Sequence, residues 1–198
     1  MKYRFLFTVG AGLIMLSVTG CSNNKSNANS SSKSEIIKKN SNVKKKKAPK
    51  PSANAKNRTW TYKNNVFDAG IETYTFTKSE IMDSQTPGKK LLVLYCNVRN
   101  NSNKEQDPSN VYMVVHAYQK TKTSDVKLNP GIAKLDNNGN DPLQKYSDNL
   151  NNKLLPGKTV KACLAYDLKN TNPVKITFEN SNFETIGTKT VNINKEAN

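Results

Sequence analysis

The chain is poor in the groups from which most hydrolytic, metal-dependent and nucleotide chemistry is built. It has one His in 198 residues, so His116 has no second imidazole with which to form a common zinc site. Its three Cys, at 21, 96 and 163, are far apart in sequence and match no Cys-x-x-Cys metal or redox spacing. Nine Gly are scattered along the chain, and none forms a phosphate-cradling loop or the turn that presents a nucleophilic Ser. Beyond Cys21 no apolar run approaches the length of a bilayer span, which excludes a later membrane-spanning helix. Acids are half as numerous as bases, 15 against 31, for a net charge of +16, and only 35% of residues are hydrophobic. That apolar share is low for a globular chain, so part of it is expected to stay unpacked. These absences point away from an enzyme and imply neither cofactor nor metal.

The stretch from Met1 to Cys21 carries an address. Lys2 and Arg4 precede an apolar run from Phe5 to Val18, which ends in Val18-Thr19-Gly20-Cys21. A basic start, a short apolar core and small residues before a cleavage point form an export signal. The ending resembles a bacterial lipobox, and that resemblance implies diacylglycerol on the Cys21 thiol and removal of residues 1–20. An ordinary secretory signal and an uncleaved anchor helix are the alternatives. Lipid burial at about 0.8 kcal/mol per methylene, on two acyl chains, would hold the protein on the membrane.

Residues 22–57 contain ten Lys, one Glu and no aromatic residue, among Ser, Asn, Ala and Pro. Such a segment cannot bury enough apolar surface to order itself and is expected to be a disordered tether. Its 36 residues would span on the order of 120 Å if stretched and about 35 Å as a coil. The Lys44-Lys45-Lys46-Lys47 run has no interleaved aromatics for base stacking and follows an export signal, so nucleic acid is not the expected partner. Anionic lipid or anionic wall polymer fits better, at about 1 kcal/mol per Lys near a charged surface. A purely solubilising spacer is the alternative.

From Arg58 to Asn198 the pattern becomes short alternating runs separated by Asn, Pro and Gly, which is the grammar of strands. Seven are expected, over 59–62, 71–81, 90–98, 111–119, 159–168, 174–178 and 190–193. The fold class this predicts is all-β, an antiparallel sandwich of about seven strands. Val160, Ala162, Leu164, Tyr166 and Leu168 share one phase and should line the core, with Lys161 and Asp167 facing water. Trp60 reads as a core plug, with a ligand platform as the lesser reading. The stretch 120–158 is too long for a hairpin, and at most one helical turn is expected in it, from Tyr146.

The order of several segments resembles a known family. These are Trp60, Leu91 to Val98 ending in Arg99-Asn100-Asn101-Ser102, Tyr118-Gln119, Leu154-Leu155-Pro156-Gly157-Lys158-Thr159-Val160, and Tyr166-Asp167-Leu168 with Pro173-Val174. Together they look like the lipoprotein family labelled domain of unknown function 5067. The resemblance implies an extracytoplasmic, immunoglobulin-like sandwich related to small secreted antigens of Gram-positive and mycobacterial surfaces. It supplies no catalytic residue.

With Cys21 lipidated, Cys96 and Cys163 remain as an even pair in an oxidising compartment, which leaves a disulfide open. Cys96 shares the phase of Leu92, Leu94 and Val98, whereas Cys163 shares that of Lys161 and Asp167. That difference favours two separate thiols. His116, between Val115 and Ala117, reads as structural. The segment from Asp136 to Asp141 is rich in oxygen ligands, but Gly139 is misplaced for a calcium loop and Ser147 stands at the twelfth position, so a hydrated turn is expected. Glu80, Asp83, Glu105 and Asp107 would form a glycosidase pair only if the fold brought two of them together.

The leading expectation is a lipoprotein anchored through Cys21 to the outer face of a bacterial membrane, presenting a non-catalytic module that binds an envelope or host protein or a glycan. A structural envelope component acting through the basic tether is the alternative, and a small hydrolase is the third.

Overall fold

The structure, a computed structural model, describes residues 49–193. Cys21, the residues of the lipobox at 18–20 and Lys44 to Lys47 lie outside the described residues.

Sheet one begins with a hairpin of β1 (Thr61–Lys63) and β2 (Val66–Asp68). Asn64 and Asn65 between them have φ of 51° and 60°, the left-handed pair that a two-residue hairpin turn requires and that Asn tolerates. β2 then pairs with β3 (Glu72–Asp83), β3 with β4 (Lys90–Asn100), and β4 with β7 (Thr159–Asp167). Sheet two has the order β6 (Asp125–Lys127), β5 (Val115–Lys120), β8 (Val174–Glu179) and β9 (Thr185–Val191). Every strand pairing is antiparallel. The inner faces share one core that includes Phe67, Leu92, Leu94, Leu164, Ile176 and Phe178, so the domain is an all-β sandwich.

Nine strands form among the described residues, rather than seven. β2 and β6 have three residues each, too few for alternation to mark them. The expected strand from Val111 starts only at Val115, because Pro108–Met113 is a 3-10 helix capped by the Asp107 carboxylate. The last strand lies earlier than the expected 190–193. A bulge between Phe76 and Lys78 changes the inward phase of β3. Glu72, Tyr74 and Phe76 are buried before it, whereas Ile81 packs on the core after it.

The clearest departure concerns the outer face of sheet one. Leu91, Val93, Tyr95, Cys163 and Ala165 point away from the main core yet are buried in a second cluster with Ala133 and Leu143. The cover is α1 (Gln144–Asn151), a two-turn helix rather than a single turn, with the loop before it. The same connection protects the free edge of β7: Gly131 N–H donates to the Ala165 carbonyl at 3.1 Å and Asp167 N–H to the Asn129 carbonyl at 3.0 Å. An unpaired edge would otherwise invite another chain. Asp167, expected in water, is half-buried and accepts from Ser84 Oγ at 2.7 Å and Thr86 Oγ1 at 3.2 Å.

The disulfide does not form. Cys96 lies in the inner core and Cys163 in the outer cluster, on opposite faces of sheet one, and both are free thiols. The boundary expected at residue 58 also moves. Ser52 N–H donates to the Asn101 carbonyl at 2.8 Å, and Ala55, in a 3-10 helix spanning Ala53–Asn57, is buried, so the chain docks on the sandwich before Arg58.

The strand-end sequence Asn100-Asn101-Ser102 is a hydrogen-bond hub. Asn100, with no exposed surface, donates to the Lys104 and Leu154 carbonyls at 2.7 and 2.8 Å and accepts from Ser102 N–H and Oγ. Asn101 Nδ2 reaches the Gly70 carbonyl at 3.0 Å. These bonds hold the turn that leads into Glu72.

Candidate functional site

A recess of about 170 Å³ lies beside this turn, lined by Trp60, Phe67, Glu72, Tyr74 and, from the second 3-10 helix and its end, Val111 and Met113. Each wall follows from local structure. Trp60 stands just ahead of β1, half-buried, with its ring edge-on to Phe67 of β2 at 5.9 Å between centroids. Glu72 and Tyr74 occupy inward positions of β3. The 3-10 helix starts where Pro108 follows Asp107, whose carboxylate accepts from Ser109 N–H at 3.1 Å and Oγ at 2.6 Å.

Glu72 is 4% exposed, and it is the one buried carboxylate among the described residues. Oε2 accepts from Tyr74 Oη at 2.7 Å, whereas Oε1 has no hydrogen-bond partner. Burial pushes the carboxyl up to about 7; the Tyr74 hydrogen bond opposes that rise and the Asp107 charge adds to it. Tyr74 Oη is also 2.9 Å from the Pro108 carbonyl. A phenol has one proton. It goes to Glu72 when the carboxylate is ionised; when Glu72 is protonated, the carboxyl donates to Oη and the phenol turns to Pro108. Both protonation states therefore find partners for this chain. Burial and the Glu72 charge raise the phenol well above its ordinary value, so Tyr74 is no base. The recess can hold and orient a group, with one unpartnered acceptor, Glu72 Oε1, buried in its wall.

Trp60 packs on the core, as its size led one to expect, and it also walls this recess. His116 is buried on β5, its Nε2 at 3.5 Å from both Glu179 Oε2 and Lys127 Nζ. Burial and Lys127 lower its proton affinity, and Glu179 partly restores it. The Asp136 carboxylate accepts from the backbone N–H of Asn138 and Asn140 at 2.8 and 2.9 Å, with Gly139 at φ 81°. Turn donors fill the oxygens a cation would use and pull that carboxyl below its ordinary range. Glu80 pairs with Lys78 at 2.9 Å and Asp83 with Lys90 at 2.6 Å, while Asp107 caps its helix. Glu105 lies exposed in the loop before that helix.

Glu72 was the residue missed. It falls inside the expected strand 71–81 and in phase with Tyr74 and Phe76, so a carboxyl on an inward phase was the available signal.

No match is found among curated proteins. Two solved structures share the fold: one described as a "putative lipoprotein" from Staphylococcus aureus, at 16% identity and TM-score 0.60, covering 69% of this chain and 94% of that one; and a protein from Enterococcus faecalis, at 16% identity and TM-score 0.53, covering 69% and 95%. A family model described as a domain of unknown function (DUF5067) matches residues 44–180, a span that contains the whole recess. The chain belongs to that family.

Proposed function

We propose that this protein is a lipoprotein held at the outer face of a bacterial membrane by lipid on Cys21, and that its immunoglobulin-like sandwich is a non-catalytic binding module whose site is the recess between Trp60 and Glu72. The observation that carries the binding role is the buried carboxyl with an unpartnered oxygen in an aromatic-lined recess. A buried polar atom without a partner costs about 1–3 kcal/mol, and a ligand that supplies the partner recovers that cost. Anchoring is supported by the basic start, the apolar run and Val18-Thr19-Gly20-Cys21, and by the lipoprotein description of the Staphylococcus aureus protein of the same fold.

A second role is favoured by the ten Lys of residues 22–57: the tether, through Lys44 to Lys47, engages anionic wall polymer or lipid, an attraction that salt weakens.

One experiment separates the parts. Mature protein is incubated with envelope extract and purified wall polymer at low and high salt, as wild type, with Glu72→Gln, and with Lys44 to Lys47 all replaced by Gln. Salt-resistant capture lost with Glu72→Gln supports the module, and capture lost only with the Lys replacements and at high salt assigns affinity to the tether. Independently, Cys21→Ala should move the protein from the membrane fraction to the soluble one; retention after detergent-free washing refutes the anchor.

A further inference from the structure

We propose that the recess binds a small organic cation, a methylated or alkyl ammonium group, with its charge on Glu72 and its carbon atoms against the rings of Trp60, Phe67 and Tyr74. This rests on reading the recess as the binding site and adds the class of ligand.

Charge supplies the first argument. The sequence has twice as many bases as acids, and Asp68, Glu80, Asp83, Asp125 and Asp167 each have a Lys or Arg within 4.0 Å. Glu72, the most buried acid, has none, and no Lys, Arg or His lines the recess. The charge that acts on it is that of Asp107, of the same sign. An anion is therefore repelled, and the missing partner is a cation from outside.

The walls supply the second. Aromatic faces attract cations, most strongly Trp, and this attraction grows when the cation is stripped of water. A hydrated metal ion would need several oxygen ligands, whereas the recess is walled by rings and aliphatic groups with Asn110 and a single carboxylate, whose unpartnered oxygen is buried, and there is no cluster of metal-ligating side chains among the described residues. Volume supplies the third: about 170 Å³ is close to the ~150 Å³ cavity that accepts benzene. It suits a trimethylammonium or short alkylammonium head and excludes a drug-sized ligand.

Protonation follows from the same geometry. A bound cation favours ionised Glu72, so binding releases a proton where the free carboxyl is protonated, and affinity rises with pH until about 7. Burial is the main cause of this raised midpoint, and the titratable and charged groups that act on it are Tyr74, which lowers it, and Asp107, which raises it.

Trp60 is the single Trp of the sequence, so its fluorescence in the intact mature protein reports on the recess. The probes are choline, tetramethylammonium and 3,3-dimethylbutan-1-ol, the uncharged counterpart of choline, at pH 6 and pH 8 and constant ionic strength. Saturable changes are expected with both cations, at least tenfold tighter than with the alcohol, and several-fold tighter at pH 8 than at pH 6. Glu72→Gln, which keeps a partner for Tyr74, should remove the preference for cations and the pH dependence. Asp107→Asn, which keeps the helix cap, should move the pH midpoint down, and it serves if Glu72→Gln fails to fold. Equal affinity for alcohol and choline, unaffected by Glu72→Gln, overturns the cation assignment while leaving a neutral binding recess. No response to any probe also overturns it, and the capture experiment then judges the module separately.

Discussion

Tyr74 Oη stands 2.7 Å from Glu72 Oε2 and 2.9 Å from the Pro108 carbonyl oxygen. One phenol thus links a buried carboxyl on β3 to the 3-10 helix that leads into sheet two. The sandwich tolerates an acid on an inner face because this link serves both of its protonation states, and the cost falls on the ionised one.

That cost sets a pH dependence. The folded carboxyl titrates near 7, raised from an ordinary 4.5. Its stabilising contribution is complete below about 4.5 and is lost as pH rises to about 7, by roughly 3 kcal/mol. Thermal melting of Glu72→Gln and wild type across pH 4–8 should show the variant gaining stability relative to wild type as pH rises. Parallel pH profiles would refute the assignment.

The two thiols should be inert. Burial pushes both Cys96 and Cys163 up to about 12, and only thiolate reacts readily. Iodoacetamide at pH 8 is expected to leave both unmodified in folded protein and to label both after denaturation. A mass lower by two hydrogens before any reduction would reveal a bridge and contradict the placement on opposite faces.

Gly70 has φ of 74°, and a Cβ there would lie 2.9 Å from the Ala55 carbonyl oxygen and 3.4 Å from Trp60 Nε1. Gly70→Ala combines left-handed strain with this clash and should cost about 2 kcal/mol, read by urea denaturation. The Trp60 emission should shift with it, because the added methyl presses on the recess wall.

Asn100→Ala removes the centre of the strand-end hub and leaves the Lys104 and Leu154 carbonyls without that donor. A loss of about 3 kcal/mol is expected from these buried groups. Asn100→Asp should not rescue it, since a carboxylate cannot donate. Urea denaturation curves that superimpose on those of the wild type would mean that water replaces the side chain.

Strands were legible wherever one local rule applied. Val160, Ala162, Leu164, Tyr166 and Leu168 alternate because residues two apart share a face of the pleat, and all five pack in or against the inner core. The unbroken apolar run Leu91 to Cys96 belongs to a strand buried on both faces, but such a run does not say what covers the second face. The cover comes from Ala133, Leu143 and Tyr146, far along the chain.

The site was legible in pieces: Trp60 by its size, and Glu72 by a phase that sequence reasoning did not weigh. Composition and order along the chain were enough for a basic, unpacked amino-terminal segment to be expected ahead of a β domain, because charge density and alternation are properties of neighbouring residues. The docking of residues 52–57, the separation of Cys96 from Cys163 across sheet one, and the meeting of Trp60, Glu72 and the helix after Asp107 depend on pairings between distant segments. Those pairings arise from packing, which brings together residues that no local pattern relates.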